Sequence, residues 1–364
     1  MSQRLLVGTR KGLFVFEPQA ASRQWNLVRH EFAGIPVTAV LDDQRSGHWF
    51  VGLRHGHFGA KLHRSVDGGL HWQEEECPAF PPEAAAKADG SLPAVDTIWS
   101  LAAAGPDMPG VLLAGTIPAA LFISNDDGAS WGLVESLWDL PERANWLGGG
   151  TDNPGLHSIC IDPRDSDRVS VGISSGGVWR SEDGCASWRS ATQGMVAAYM
   201  PPERQEDASV QDPHRVVSCP GVPETFWCQH RSGIFRSGND LASWEQLHSG
   251  LSDFGFAVAV HPTNPDIAWF VPAQSDECQI PQGGDFYVMR TRDGGKSFEK
   301  ITAGLPPEPA YHLIDRHALA VNDGGRVLAF GSTTGSLWTS SDEGGSWLRV
   351  SAELPPILCI TFIE

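Results

Sequence analysis

One eight-residue stretch, Ser181-Glu182-Asp183-Gly184-Cys185-Ala186-Ser187-Trp188, is rewritten along the whole chain. Close copies run Ser65–Trp72 (SVDGGLHW), Ser124–Trp131 (SNDDGASW) and Ser340–Trp347 (SSDEGGSW), with looser ones at Ser237–Trp244 (SGNDLASW) and Thr291–Phe298 (TRDGGKSF). A worn seventh ends at Trp25, where EPQAASRQW replaces the acidic hairpin. The terminal aromatics recur at intervals of roughly 50 residues, a period that marks one supersecondary unit repeated through the chain.

The stretch has the chemistry of a β-hairpin corner. Its aspartate accepts hydrogen bonds from backbone N–H groups a few residues on, its glycine takes the positive φ of a tight turn, and its aromatic opens the next strand. An aspartate present in nearly every unit is turn chemistry rather than a catalytic acid or a calcium ligand. Residues 157–190 show the unit's rhythm: HSICIDP, DRVSVGIS, GGVWRSEDG and ASWRSA read as four short strands. Four strands at this period predict a propeller blade, with strands A to D running from the channel outward.

The predicted fold is therefore all-β, a seven-bladed β-propeller, with residues 1–364 as one domain. Val7-Gly8-Thr9 aligns with Val171-Gly172-Ile173 of a strand B, so the first blade lacks its strand A. The missing strand is expected at Leu358–Ile363, completing the first blade and leaving no open edge there. Long D–A connections at about 78–96, 136–156 and 191–213, and a long B–C loop at about 275–284, are expected to build the binding face.

The net charge of −18, from 44 acids against 26 Lys plus Arg, argues against binding nucleic acid through its phosphates and against anionic membranes. Seven cysteines without a CxxC pair signal neither a zinc ribbon nor a redox motif. No apolar run has the form of a secretion signal or a membrane span. A reduced, cytoplasmic compartment is expected.

The repeated S-x-D-x-G-x-S/T-W resembles the Asp-box, or BNR repeat, of sialidases and related propellers. The similarity covers the chain and is nearest to the bacterial sialidase-like, "glycosyl hydrolase BNR repeat" group, with photosystem II assembly factors more distant. It implies that the boxes sit on C–D turns, away from a substrate face made by D–A and B–C loops. True sialidases usually have six blades and a YRIP or FRIP arginine; here the corresponding string is Gly34-Ile35-Pro36, without it. Sialidase activity is not expected.

Aligning strand A of each blade at its Asp-Pro-like end matches Asp162 with Cys219, His261 and Asn322. Five residues earlier stand His157, His214, Phe256 and His317, so three histidines share one repeat phase. B–C loops add His55, His57 and His230, with Arg54 and Arg231 beside them. Neutral imidazoles converging on an axis suit zinc, manganese or iron, which makes His157, His214 and His317 candidate metal ligands. Alternatively they hold channel water or a ligand carboxylate. Without a metal, one of these histidines as general base, with Asp152, Asp212 or Asp253 as acid or orienter, suits a sugar or uronate. Arg54, Arg143 and Arg231 are candidate carboxylate clamps. Trp99, Trp146, Phe254 and Phe256 are candidate stacking surfaces.

Two functional readings follow. One is a hydrolase or lyase for a small, carbohydrate-like, carboxylate-bearing substrate in a His-rich pocket, with a divalent metal as its candidate cofactor. The other is a non-catalytic scaffold propeller that binds a protein partner. Nothing resembles a nucleotide loop or a G-x-S-x-G elbow.

Overall fold

Seven four-stranded antiparallel sheets account for nearly all regular structure in the computed structural model, which describes residues 3–19, 23–82, 84, 93–148 and 151–363. The fold is a seven-bladed β-propeller. The strands are short because each must bury both faces between neighbouring sheets and then turn. In the fourth blade they are Leu156–Asp162, Asp165–Ile173, Gly177–Ser181 and Arg189–Ser190, close to the rhythm expected from sequence. Among the described residues the one α-helix is the four-residue Glu135–Trp138. No helix of these residues is long and apolar enough to cross a membrane.

The chain divides into two compact units. One comprises Met1–Val37, Thr192–Glu206 and Asp212–Glu364, and holds blades 1, 5, 6 and 7; the other comprises Thr38–Ala191 and Asp207–Gln211, and holds blades 2, 3 and 4. In the first unit, Ile357–Ile363 pairs antiparallel with Arg4–Thr9, matching Leu5 with Phe362 and Val7 with Ile360. The last strand thus supplies strand A of the first blade, as expected. Leu5, Leu6 and Val7 are completely buried there, and a Cβ on Gly8 would meet the Cys359 sulfur at 2.4 Å.

The repeated octapeptides form the C–D corners, all with one bonding scheme. The Ser181 hydroxyl donates to Asp183 Oδ1 at 2.9 Å and accepts the Cys185 N–H at 2.9 Å, while Asp183 Oδ1 accepts the Ser187 N–H at 2.9 Å. Ser65/Asp67, Ser124/Asp126, Thr291/Asp293 and Ser340/Asp342 repeat this, and Asn239 replaces the acid beside Ser237. Each of these six corners also has two successive residues at positive φ, such as Gly184 and Cys185 or Gly294 and Gly295. The aspartates are consumed by their own turns, as the sequence suggests.

The insertions lie where strand A begins. Blades 3 and 4 are joined by residues 134–155 and blades 4 and 5 by residues 191–212, while residues 273–287 form the long B–C loop of blade 6. The 78–96 connection lies partly outside the described residues. The seven cysteines form no disulfide among the described residues.

Candidate functional site

Strand A of blade 5, Pro213–Cys219, lies against strand A of blade 6, Gly255–Val260, and each carries an aromatic ring at its second position. His214 stacks flat on Phe256, with centroids 4.5 Å apart and planes at 16°, and Phe254 meets both rings edge-on. The ring is fixed by its Nδ1–H, which donates to Gly255 O at 2.6 Å. This leaves Nε2 unprotonated, 3.9 Å from Asp212 Oδ2, beyond hydrogen-bond range. Burial, reinforced by the positive charges of Arg316 and Arg231, holds His214 well below the usual histidine range. It is a neutral imidazole at physiological pH.

The buried Asp212 shares its surroundings with Arg316 from the D–A connection of blade 7. That guanidinium lies over the Phe256 ring at 5.2 Å. Burial lowers its affinity for a proton, while Asp212, Asp315 and Asp276 oppose that effect. Asp315 goes the other way: burial raises its carboxyl above the ordinary range, against the pull of Arg316 and of Arg10. A tight turn, with the Ala318 N–H on Asp315 O at 2.9 Å, presents both residues. Asp212 and Asp315 thus both act on one arginine through their charges.

Arg231, in the B–C turn of blade 5, completes the cluster. Its guanidinium lies 4.5 Å from the Tyr199 ring centroid, and its Nη2 is 2.9 Å from Asp276 Oδ2 on the blade 6 loop. Burial, with Asp212 adding to it, pushes the Tyr199 phenol above its ordinary value.

Several residues expected at a site make bonds within the scaffold. His230 is wholly buried, with the Asp212 N–H aimed at Nε2 and the Ser232 N–H at Nδ1, both at 2.9 Å. A neutral imidazole accepts one such bond at a time; a second ring proton would face an amide hydrogen, and burial pushes His230 down to about 3. Asp253 caps its own turn, accepting the Ser249 N–H at 2.9 Å and the Ser249 hydroxyl. His317 contributes main chain: it forms a parallel bridge with Cys359, and its carbonyl accepts the Ile360 N–H at 2.9 Å.

In the other unit, His157 is fully buried at the second position of its strand, with Nδ1 2.8 Å from Ser158 Oγ and its ring edge-on to Trp99. Gly155 permits this, since a Cβ there would strike the Trp99 ring at 2.3 Å. Arg143 lies 3.2 Å over the Trp138 ring centroid and Arg54 pairs with Asp96 at 3.0 Å. His55 meets Phe58 edge-on, and His57 and Asp152 are exposed. Trp146 is core, packed on Trp179. His71, beside the blade 2 box, pairs with Asp67 of that box at 2.7 Å.

His157, His214 and His317 are the expected metal ligands; among the described residues no group of three or more His, Cys, Asp or Glu is placed to hold a metal ion. The residues that do gather, Asp315, Arg316, Asp276 and Tyr199, were not singled out as a site by sequence. One signal was there: Asp212 and Asp315 each stand two residues before a phase histidine, in Asp212-Pro213-His214 and Asp315-Arg316-His317.

Comparison with known proteins agrees on the fold. No family model matches the chain. A xyloglucanase of Paenibacillus sp is 22% identical over 283 residues, covering 68% of this chain and 26% of that protein. This chain thus spans about a quarter of the length of that relative. Among solved structures, a protein from Lactobacillus plantarum superposes with a TM-score of 0.63 at 10% identity, with 100% of both chains covered. YCF48 bound to D1 peptide superposes at 0.54 with 15% identity, covering 86% of this chain and 81% of that one. An ancestral GH74 enzyme gives 0.54 and 15%, over 90% and 38%. At these identities the structures show a shared fold.

Proposed function

We propose that this protein is a carbohydrate-active propeller of the Asp-box type, a glycoside-hydrolase-like enzyme working at the cluster of Asp212, His214, Asp315 and Arg316. The observation that carries the reading is a buried Arg316 acted on by two carboxyl groups, Asp212 and Asp315, of which Asp315 is raised by burial. Glycosidic cleavage needs one carboxyl that donates a proton to the leaving oxygen and another that stays charged, as nucleophile or as base for water. Asp315 suits the first role and Asp212 the second. Arg316 supplies the positive charge facing Asp212, and His214, neutral and stacked, adds no charge of its own. Phe254 and Phe256 offer aromatic surface to a sugar ring. The similarity to a xyloglucanase supports a β-glucan as the first substrate to try.

The test is release of reducing ends from xyloglucan and related β-glucans by the purified protein, with Asp212→Asn and Asp315→Asn beside it. Loss of rate by roughly 10²–10⁴-fold in each folded variant is expected, the usual size for an acid–base group. A wild-type protein inert on all glycans would overturn the reading.

The second reading is a non-catalytic propeller that binds a peptide. It is favoured by the match to YCF48, which covers most of both chains, whereas the xyloglucanase match covers a minor part of that enzyme. Peptide binding without hydrolysis would establish it.

A further inference from the structure

We infer that Arg231 is a receptor for a ligand's carboxylate, and that Asp276 occupies it as a displaceable latch. This deepens the proposed function and rests on its reading of the blade 5 to 7 cluster as the site. Arg231 holds Asp276 Oδ2 at 2.9 Å, with Glu277 Oε1 at 3.8 Å. The guanidinium is 29% exposed and the aspartate 37%, so solvent and ligand both reach the pair. Tyr199 backs the guanidinium with its ring face, which fixes the plane a carboxylate would meet. Asp276 also acts on Arg316 through its charge, so the loop carboxylate bonded to Arg231 lies in the field of a second cation.

The loop is built to let go. Residues 273–287 are regular only in a three-residue turn, Gln282–Gly284. Its tip is closed on itself, by Gln274 N–H to Ile280 O and reciprocal bonds between Ser275 and Cys278, while its far end is tied down by Ala310 N–H to Gly284 O at 2.8 Å. Asp276 therefore joins the rest of the blade cluster through an ion pair of the half-exposed kind, which contributes little to stability. An incoming carboxylate that takes the guanidinium fork through two parallel bonds gains what Asp276 loses, and the loop tip lifts.

The probes are glucuronate and galacturonate, glucose as the uncharged control, and a tripeptide with its free carboxylate against the same peptide amidated. Binding is read by calorimetry on the full chain, and loop release by the rate at which Cys278, half-buried in the tip, reacts with a thiol reagent. A carboxylate probe should bind and speed Cys278 labelling, while glucose and the amide do neither. Asp276→Asn should tighten binding about five-fold, the scale set by an exposed ion pair, and Arg231→Gln should abolish it. Tightening by Asp276→Asn is not expected of a merely structural pair. Unchanged or weaker binding in Asp276→Asn, or binding that ignores the carboxylate, overturns the latch. Hydrolysis of neutral glycans with no carboxylate binding leaves the proposed enzyme standing and ends this inference. Carboxylate binding without hydrolysis does the reverse, and the uronate and peptide arms then name the source.

Discussion

The imidazole of His214 lies flat on Phe256, 4.5 Å between centroids and 16° from parallel. This contact joins strand A of blade 5 to strand A of blade 6, and it is part of the burial that keeps the histidine neutral. Phe256→Ala should destabilise the protein by about 3–5 kcal/mol, the usual cost of emptying a buried phenylalanine site. It should also raise the pKa of His214 toward the ordinary range, because water returns to the ring. Urea titration reads the first effect and NMR titration of the imidazole the second. A His214 still depressed in a folded variant would mean that Arg316 and Arg231 dominate.

The box aspartates should govern acid stability. Asp293 is lowered to about 2, first by the Ser297 hydroxyl and next by the Ser297 amide. Asp183 and Asp126 are lowered by the same two bonds. Bonds made only in the folded chain depress these groups. Their contribution is therefore complete above the ordinary aspartate range near pH 4 and fades as pH falls toward about 2. Urea midpoints should drop steeply across that window and less steeply in Asp293→Asn. Equal acid sensitivity in the two proteins would contradict the assignment.

Positive φ at the corners sets a sharp contrast between glycines. Gly295 has a φ of +90°, and a Cβ on it would meet Leu247 Cδ1 at 2.3 Å; Gly324 has ordinary φ and its nearest neighbour is 3.5 Å away. Gly295→Ala should cost more than about 1 kcal/mol, and Gly324→Ala about zero or slightly stabilising. Paired thermal melts decide it, and equal shifts would sink the argument.

Thiol chemistry offers a fourth test. Burial pushes Cys185 and Cys359 up to about 12, so neither supplies thiolate at neutral pH. In the native protein a thiol reagent should find Cys278 first and leave these two untouched until urea unfolds the chain. Fast labelling of Cys359 in the native state would show that the Ile357–Ile363 strand detaches readily.

Much of the fold is legible in the sequence because the corner chemistry is local. Ser181, Asp183 and Ser187 make their bonds within one turn, so the string that encodes the turn also reports it. The transfer of residues 357–363 to the first blade is legible for a related reason: an incomplete repeat at one end implies its missing strand elsewhere. The site is legible only in part. The repeat phase finds His214 and Phe256, which do hold matching places on adjacent strands. It fails for His317, where the same phase falls just before the strand and main chain does the pairing. It also passes over Arg316 and Asp276, whose importance lies in charges brought from separate blades, and over the difference between a histidine beside water and His230, sealed between two amides.

Because Arg4–Thr9 finds its inner partner only in residues 357–363, that pairing must wait until roughly 350 further residues have left the ribosome. Over that interval the strand stays apolar and half-paired. A chaperone that grips apolar β-segments would meet a handle there, and release would coincide with arrival of Ile357–Ile363.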